Sequence, residues 1–499
     1  MNPAPTQIVG GRSRILLMKV KKSSNSLLYI LPFLVVSAAL LARPIMDMDE
    51  IWNYNFGYNI CKGLLPYADF NCIVTPLSLW LSALILGLFG NTLFVFRILG
   101  AGLLAAVFGL LFVILKLCTK SKVLAFVGAA YMYALCFPVW IYNYNNLNLL
   151  LILMILYLEL LQEQSNCKRV RLLQAVIGTL YGLIPLCKQS VGGLLLLYNG
   201  AICLYEVLRH PGEKRGYGLR LLLSVIPPVL FAVYLLITGS IPDFLDYTVF
   251  GIGTFKHSIT YLDFVTASPI QLGMGLYPVA VTVFSVITLI KRRSGISRRF
   301  HFSALAVSWI GMSVSFPICD YSHFCIGMVP FTICLYCCVK NVSVTRMQAA
   351  VCMVLALCVL GFSGGQQLKD ARANKTCQLR NFAGLLIDPN LEDTLLQVDN
   401  YIYSLEAEGR EVILVDAAAA AYLLPMDRYL KDFSLLNMGN LGTKSVEDLL
   451  WREDAIYLVR KNRSQMLWQS HFELLDFIEA HYAKVGEGCG FEAYQKQGT

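Results

Sequence analysis

Charge is scarce in this sequence: Asp, Glu, Lys and Arg supply 15% of 499 residues, against about 25% in an ordinary soluble domain. That shortage, with 57% hydrophobic residues and a mean hydropathy of +0.59, excludes a soluble globular chain and predicts a polytopic membrane protein. The cysteines show no metal-finger spacing, no internal repeat or low-complexity tract is evident, and no small-residue cleavage site follows the first apolar run. These absences argue against a zinc-finger module, a solenoid and a cleaved secretory signal, so the first apolar run is predicted to remain as a signal anchor. The formal charge of +9 could suggest a nucleic-acid partner. The basic residues, however, lie in short loops between apolar runs, which makes them topology signals and argues against nucleic acid.

Runs long enough to cross a bilayer, roughly 17 to 25 residues each, lie at about 26–42, 93–115, 123–141, 147–162, 170–187, 190–208, 221–238, 270–290, 302–318, 324–339 and 347–364. A twelfth apolar run, 76–89, is decided by the rule that Lys and Arg of short loops collect on the cytoplasmic side. If it crossed the membrane, the cluster at Lys116, Lys120 and Lys122 and every later one would fall outside. If it lies along the outer surface, 22 Lys and Arg fall on inner segments, 5 on outer loops and span ends, and 14 after residue 364. The expectation is therefore eleven spans plus a surface helix, with the N-terminus inside and the C-terminus outside. Segment 1–25 reads as a cytoplasmic leader, with a more usual start at Met18, and 26–364 as the membrane domain.

From residue 365 to 499 the composition changes, with 20 acidic and 14 basic residues. EVILVDAAAAAYLL reads as a strand running into a helix, DAIYLVR as a strand, and FELLDFIEAHYAKVGE followed by FEAYQ as a helix and then a strand. This predicts a small outer α/β domain. It has no Gly-rich phosphate loop and no triad spacing, so an accessory role over the membrane domain is expected of it. Most of the sixteen cysteines fall in apolar runs and act as small hydrophobes. The pairs Cys61 with Cys72 and Cys377 with Cys489 could bridge in an oxidising compartment.

The candidate chemistry begins at Asp49 and Glu50, adjacent carboxylates just beyond the first span. Charge beside hydrocarbon is costly unless solvated, paired or used. The other ionisable groups that are not topology signals fall on the same predicted outer face. They include Arg97, Lys188, Asp320 and His323, the last two three residues apart in FPICDYSHFCIGMVP. Each has a plain structural alternative. Lys188 could snorkel, Arg97 could pair with an outer acid, and Asp320 could only cap the following helix. His323 could be a satisfied helix-end histidine.

An acidic pair after the first span, G-x-x-PY-x-D at Gly63, Pro66, Tyr67 and Asp69, a surface helix opening at Pro76, Arg97, and CKQSVG around Lys188 together resemble the GT-C membrane glycosyltransferases. The similarity is to the branch that includes protein O-mannosyltransferases and the bacterial enzymes transferring aminoarabinose to lipid A. The Asp320 and His323 motif resembles a second outer-face motif of its bacterial members. The resemblance spans roughly 30–340.

It implies transfer of a sugar from a polyprenyl-phosphate donor to a lipid, glycan or protein acceptor at the outer face of a bacterial cytoplasmic membrane, with inversion. Asp49 would be the base and Glu50 its supporting neighbour. Arg97, Lys188 and His323 would hold the phosphate. The loop 239–269 resembles the family's mobile loop over that phosphate, which adds Lys256 and His257. In one respect the sequence departs from several relatives, whose second outer loop has a carboxylate that helps hold a divalent metal. Here that loop reads Tyr142–Asn146, YNYNN, and a metal-independent enzyme is predicted, with the Asn and Tyr side chains placed for sugar hydroxyls. The rivals are a lipid-linked glycan polymerase or ligase, and a flippase or transporter, which would carry mid-membrane charges or matched halves.

Overall fold

The computed structural model describes residues 24–45, 48–70, 72–136, 141–163, 167–210, 212, 214–250, 259–291, 296–339, 345–407, 409–415, 419–428, 454–461 and 472–496. Helices dominate it: α1 (Ser24–Ala39), α2 (Met48–Cys61), α3 (Leu77–Phe89), α4 (Leu93–Thr119), α5 (Lys122–Cys136), α6 (Tyr144–Gln162), α7 (Cys167–Leu183) and α8 (Gln189–Arg209). There follow α9 (Lys214–Thr238), the short α10 (Ile241–Leu245) and α11 (Tyr261–Thr266), α12 (Pro269–Ile290), α13 (Arg298–Gly311), α14 (Tyr321–Cys338) and α15 (Arg346–Ala371).

Seven of these helices, α4, α6, α8, α9, α12, α14 and α15, are long and apolar enough to cross a membrane. Their burial divides them into two shells. The apolar windows of α4, α6 and α14 are 67%, 61% and 72% buried, whereas that of α15 is 17% buried. Leu236, Ile237, Ile270, Ile290 and Phe362 stand exposed on the peripheral helices. So many exposed large apolar side chains on long apolar helices are what a bilayer accommodates. The chain is an α-helical membrane-type protein with a small C-terminal sheet.

Helix ends differ from the sequence expectations where capping side chains intervene. α6 begins at Tyr144 rather than 147 because the Asn143 side chain accepts the Asn146 backbone N–H at 2.8 Å. α14 begins at Tyr321 because Asp320 does the same for His323. The run expected at 302–318 is a 14-residue helix ending at Gly311, followed by a 3-10 turn at Met312–Ser315. α3 has 13 residues, about 20 Å of helix, too short to cross a hydrocarbon core of roughly 30 Å by itself.

The C-terminal region contains β1 (Lys375–Thr376) paired antiparallel with β2 (Leu386–Ile387), then α16 (Pro389–Glu406), α17 (Ala419–Leu423) and α18 (Phe472–His481). Its four-stranded sheet joins β3 (Val412–Val415), β4 (Ile456–Arg460), β5 (Tyr482–Gly488) and β6 (Phe491–Lys496) in the order β3-β4-β6-β5. β3 and β4 are parallel; the other pairs are antiparallel. The segment YAKVGEG, expected to continue a helix, is instead strand β5. Cys489 and Gly490 adopt positive φ, 52° and 82°, and the resulting tight turn folds β5 back onto β6.

This region docks on the membrane helices. Ile45 N–H donates to the Leu386 carbonyl at 3.0 Å, and Asp427 accepts from Lys62 Nζ at 3.1 Å, from Arg380 and from the Tyr58 hydroxyl of α2. Phe382, Leu385 and Leu424 join the same apolar core as Tyr54 and Phe96. Cys61, Cys72, Cys377 and Cys489 are all free thiols, so neither candidate disulfide is present. Cys61 Sγ instead donates to the Ala83 carbonyl and Cys489 Sγ to that of Gln397.

Candidate functional site

Neighbours in the chain, Glu50 and Asp49 serve different ends. Successive helical residues point about 100° apart, and Glu50 turns into the protein to meet Arg97. Arg97 Nε and Nη2 each donate to one Glu50 oxygen at 2.8 Å, in a pair 0% and 1% exposed. The same guanidinium donates to the carbonyls of Arg43 and Pro44. Arg97, expected at the phosphate, is thus committed to fixing the first loop and α2 against α4, and Glu50 is its counter-charge. The fork geometry suits a bidentate carboxylate and leaves neither charge unpaired.

Asp49, half-buried in the first turn of α2, remains with a separate group of residues. Asp49 and Asp320 both act electrostatically on the Tyr144 hydroxyl. Lys188 Nζ lies 5.3 Å from the centre of the Tyr144 ring and donates to Asn145 Oδ1 at 2.8 Å and to the Val314 carbonyl at 2.9 Å. An ammonium has three N–H donors, and two of them have acceptors among the described residues. Burial pushes the Lys188 ammonium down to about 7 from its ordinary 10.5, against the opposing pull of the Cys187 thiol and Asp320.

Asp320 both caps α14 and holds the His323 ring. One oxygen caps α14 through the His323 N–H and stands 2.9 Å from His323 Nδ1. Burial pushes the Asp320 carboxyl up, but the His323 hydrogen bonds outweigh it and hold the group below the ordinary carboxylate range. An ionised carboxylate can only accept, which fixes the proton on Nδ1 of the imidazole. His323 also feels the Lys188 charge.

Four chain segments therefore meet at one end of the bundle: the starts of α2, α6, α8 and α14, closed by the carbonyl of Val314. Each of those starts presents the positive end of a helix dipole, which favours an anion, although at α6 and α14 the capping side chains already take one N–H each. Cys187 Sγ bonding to the Tyr144 carbonyl at 3.1 Å ties the Lys188 turn to α6, and Gln189 Nε2 reaches the carbonyls of Ile73 and Thr248.

Other candidates are built elsewhere. Tyr67, at φ 68°, is buried against Phe231 and Phe244 with its hydroxyl on the Val74 carbonyl at 2.6 Å. Asp69 accepts the Leu65 N–H at 2.8 Å. Both shape a turn and neither reaches the Lys188 cluster in any described contact. Lys256 and His257 lie outside the described residues. Within YNYNN, Tyr142 donates to the Ser78 carbonyl, Asn143 Oδ1 caps α6, and Tyr144 and Asn145 join the cluster. The sequence marked this segment as polar without showing that Asn145 would orient Lys188, a contact 43 residues apart. Among the described residues, no group of three or more His, Cys, Asp or Glu is placed to hold a metal ion. No protein-family model and no curated protein matches this chain.

Proposed function

We propose that the chain is a membrane glycosyltransferase of the GT-C type, moving a sugar from a polyprenyl-phosphate donor to an acceptor hydroxyl at the outer face of a bacterial cytoplasmic membrane. Eleven spans with the C-terminal domain outside complete that reading, and the lipid, glycan or protein nature of the acceptor is left to experiment. The observation that carries it is the convergence of Asp49, Lys188, Asp320 and His323 around Tyr144, at the N-terminal ends of four helices.

In this reading Lys188 and the helix ends hold the donor phosphate and take up the charge that develops as the sugar leaves. Asp49 accepts the acceptor's proton, and direct displacement inverts the anomeric centre. His323, fixed by Asp320, lies on the phosphate side. Glu50 and Arg97 position α2, and through it Asp49, without touching substrate. No metal is invoked.

The test is transfer by the purified full chain from a panel of polyprenyl-phosphate sugars. Asp49→Asn is expected to lower kcat by about 100-fold or more while donor binding persists. Lys188→Gln is expected to weaken donor binding. Undiminished transfer by Asp49→Asn would remove that residue from the mechanism, and absence of transfer from every donor would favour a flippase or transporter.

A further inference from the structure

A cavity lies at the end of the bundle remote from Asp49. Glu159 stands 14 residues along α6 from Asn145, and Glu206 stands 17 along α8 from Gln189, so helical rise separates them from the Lys188 cluster by about 20 to 25 Å. There the C-terminal ends of α6 and α8 and the N-terminal parts of α9 and α13 enclose about 1080 Å³.

Part of its wall is self-satisfied. Arg220 donates to Glu159 Oε1 at 3.0 Å and to Asn199 Oδ1 at 2.6 Å, and Ser303 Oγ donates to Glu159 Oε2 at 2.7 Å. This network locks four helices together and asks for no ligand. Glu206 differs. It is 5% exposed, and its Oε1 lies 3.1 Å from Arg299 Nη2. Its Oε2 is buried with no hydrogen-bond partner among the described residues, while His210 Nε2 stands off at 3.7 Å. A buried carboxylate oxygen without a donor is costly, and a ligand N–H would relieve that cost.

The mouth supplies the complementary charge through Arg298 and Arg299, both exposed. Beside them Tyr205 and Phe302, each more than half exposed, form an apolar flank on the surface that a bilayer would cover.

We propose that this cavity is a lipid-headgroup site selective for a primary ammonium joined to a phosphate. The ammonium donates to Glu206 Oε2, the phosphate meets the guanidinium groups of Arg298 and Arg299, and the acyl chains run along Tyr205 and Phe302. A trimethylated ammonium cannot donate the hydrogen bond, and a glycerol headgroup has no charge to match Glu206. Guanidinium forks suit phosphate oxygens, and aromatic side chains suit the lipid–water boundary. The site is independent of the transfer reaction and stands or falls separately from it.

Native mass spectrometry of the full chain, released from micelles holding equal amounts of ethanolamine, choline and glycerol phospholipids, tests it. The ethanolamine lipid is expected to be retained about tenfold over the other two, the yield of one charge-assisted hydrogen bond. Glu206→Gln is expected to bring that preference near parity, and Arg298→Ala, at an exposed side chain, to lower retention of the ethanolamine lipid several-fold. Equal retention of the three headgroups by the unmodified chain overturns the proposal, as does an unchanged preference in either variant. Soluble phosphoethanolamine binding as tightly as the lipid overturns the lipid assignment. If Glu206→Gln does not fold, the headgroup comparison and Arg298→Ala still decide the matter.

Discussion

Glu50 and Lys188 show how much a single charged residue depends on what faces it. Breaking a buried pair strands a charge, at a cost of about 3 to 5 kcal/mol. Arg97→Met should therefore lower thermal stability strongly, whereas Arg97→Met combined with Glu50→Leu, which removes both charges, should recover much of the loss; melting of the purified protein checks both. Lys188 faces the opposite problem, since burial disfavours its charge. With a value of about 7 in the folded chain against an ordinary 10.5, stability from keeping it neutral is fully present above 10.5 and lost as pH falls through 7. Its charge behaves conversely: present below 7, it disappears as pH rises. Affinity for a phosphodiester, whose own charge is constant in this range, should fall about tenfold per pH unit above 7. Asp320, Cys187, Asp49 and His323 bear on the same region, and Lys188→Gln should flatten the profile if Lys188 is the group responsible.

At the scale of the element, α7 and α9 are held by close approach of backbones. Gly178 and Gly182, four residues apart in GTLYG, face α9 so closely that an added Cβ would come 2.2 Å from the Arg220 carbonyl oxygen and 2.6 Å from that of Ser224. Backbone cannot yield as a flexible side chain can, and small residues at this spacing are how helices pack where lipid supplies no hydrophobic drive. Gly178→Val should cost at least about 1 to 3 kcal/mol. It should also displace Arg220 from Glu159, which cross-linking of α7 to α9 would report as a lost or shifted contact. Helix starts obey a different logic. Thr92, Asn143, Asp320 and Thr345 each cap a helix with a side-chain oxygen, and the caps at Asn143 and Asp320 also put α6 and α14 in register with Lys188.

The C-terminal region is seated on the helical bundle by an apolar contact, by the Ile45–Leu386 hydrogen bond and by an anionic knot. Asp427, at φ 63°, gathers Lys62, Arg380 and the Tyr58 hydroxyl. Since α2 also begins with Asp49, the C-terminal region contacts the helix that presents the proposed base. Asp427→Asn should loosen that docking and raise hydrogen exchange in α2 and in the Arg380–Phe382 turn while leaving the four-stranded sheet protected. Uniform loosening of the sheet as well would mean that Asp427 stabilises the region's own fold and not its seat.

Much of the architecture was legible in the sequence because apolar length and the placement of Lys and Arg are local properties. They marked the membrane helices, the short helix at Leu77–Phe89 and the change of character after residue 364. Strand β5 reads as helix because YAKV prolongs the apolar spacing of FELLDFIEAH and the glycine stop signals come only at Gly486 and Gly488, after β5 has begun at Tyr482; the turn at Cys489 and Gly490 decides it from the far side. The site was legible in its residue types and only partly in its partners. Sequence alone put Asp49 and Glu50 just beyond the first apolar run and Arg97, Lys188, Asp320 and His323 near the ends of others, where charge is tolerated; the helix α2 that begins at Met48 was not expected. Tertiary structure decided that Glu50 and Arg97 neutralise each other while the rest gather around Tyr144. Which carboxylate meets which cation depends on helix rotation and crossing, set by packing between segments far apart in the chain.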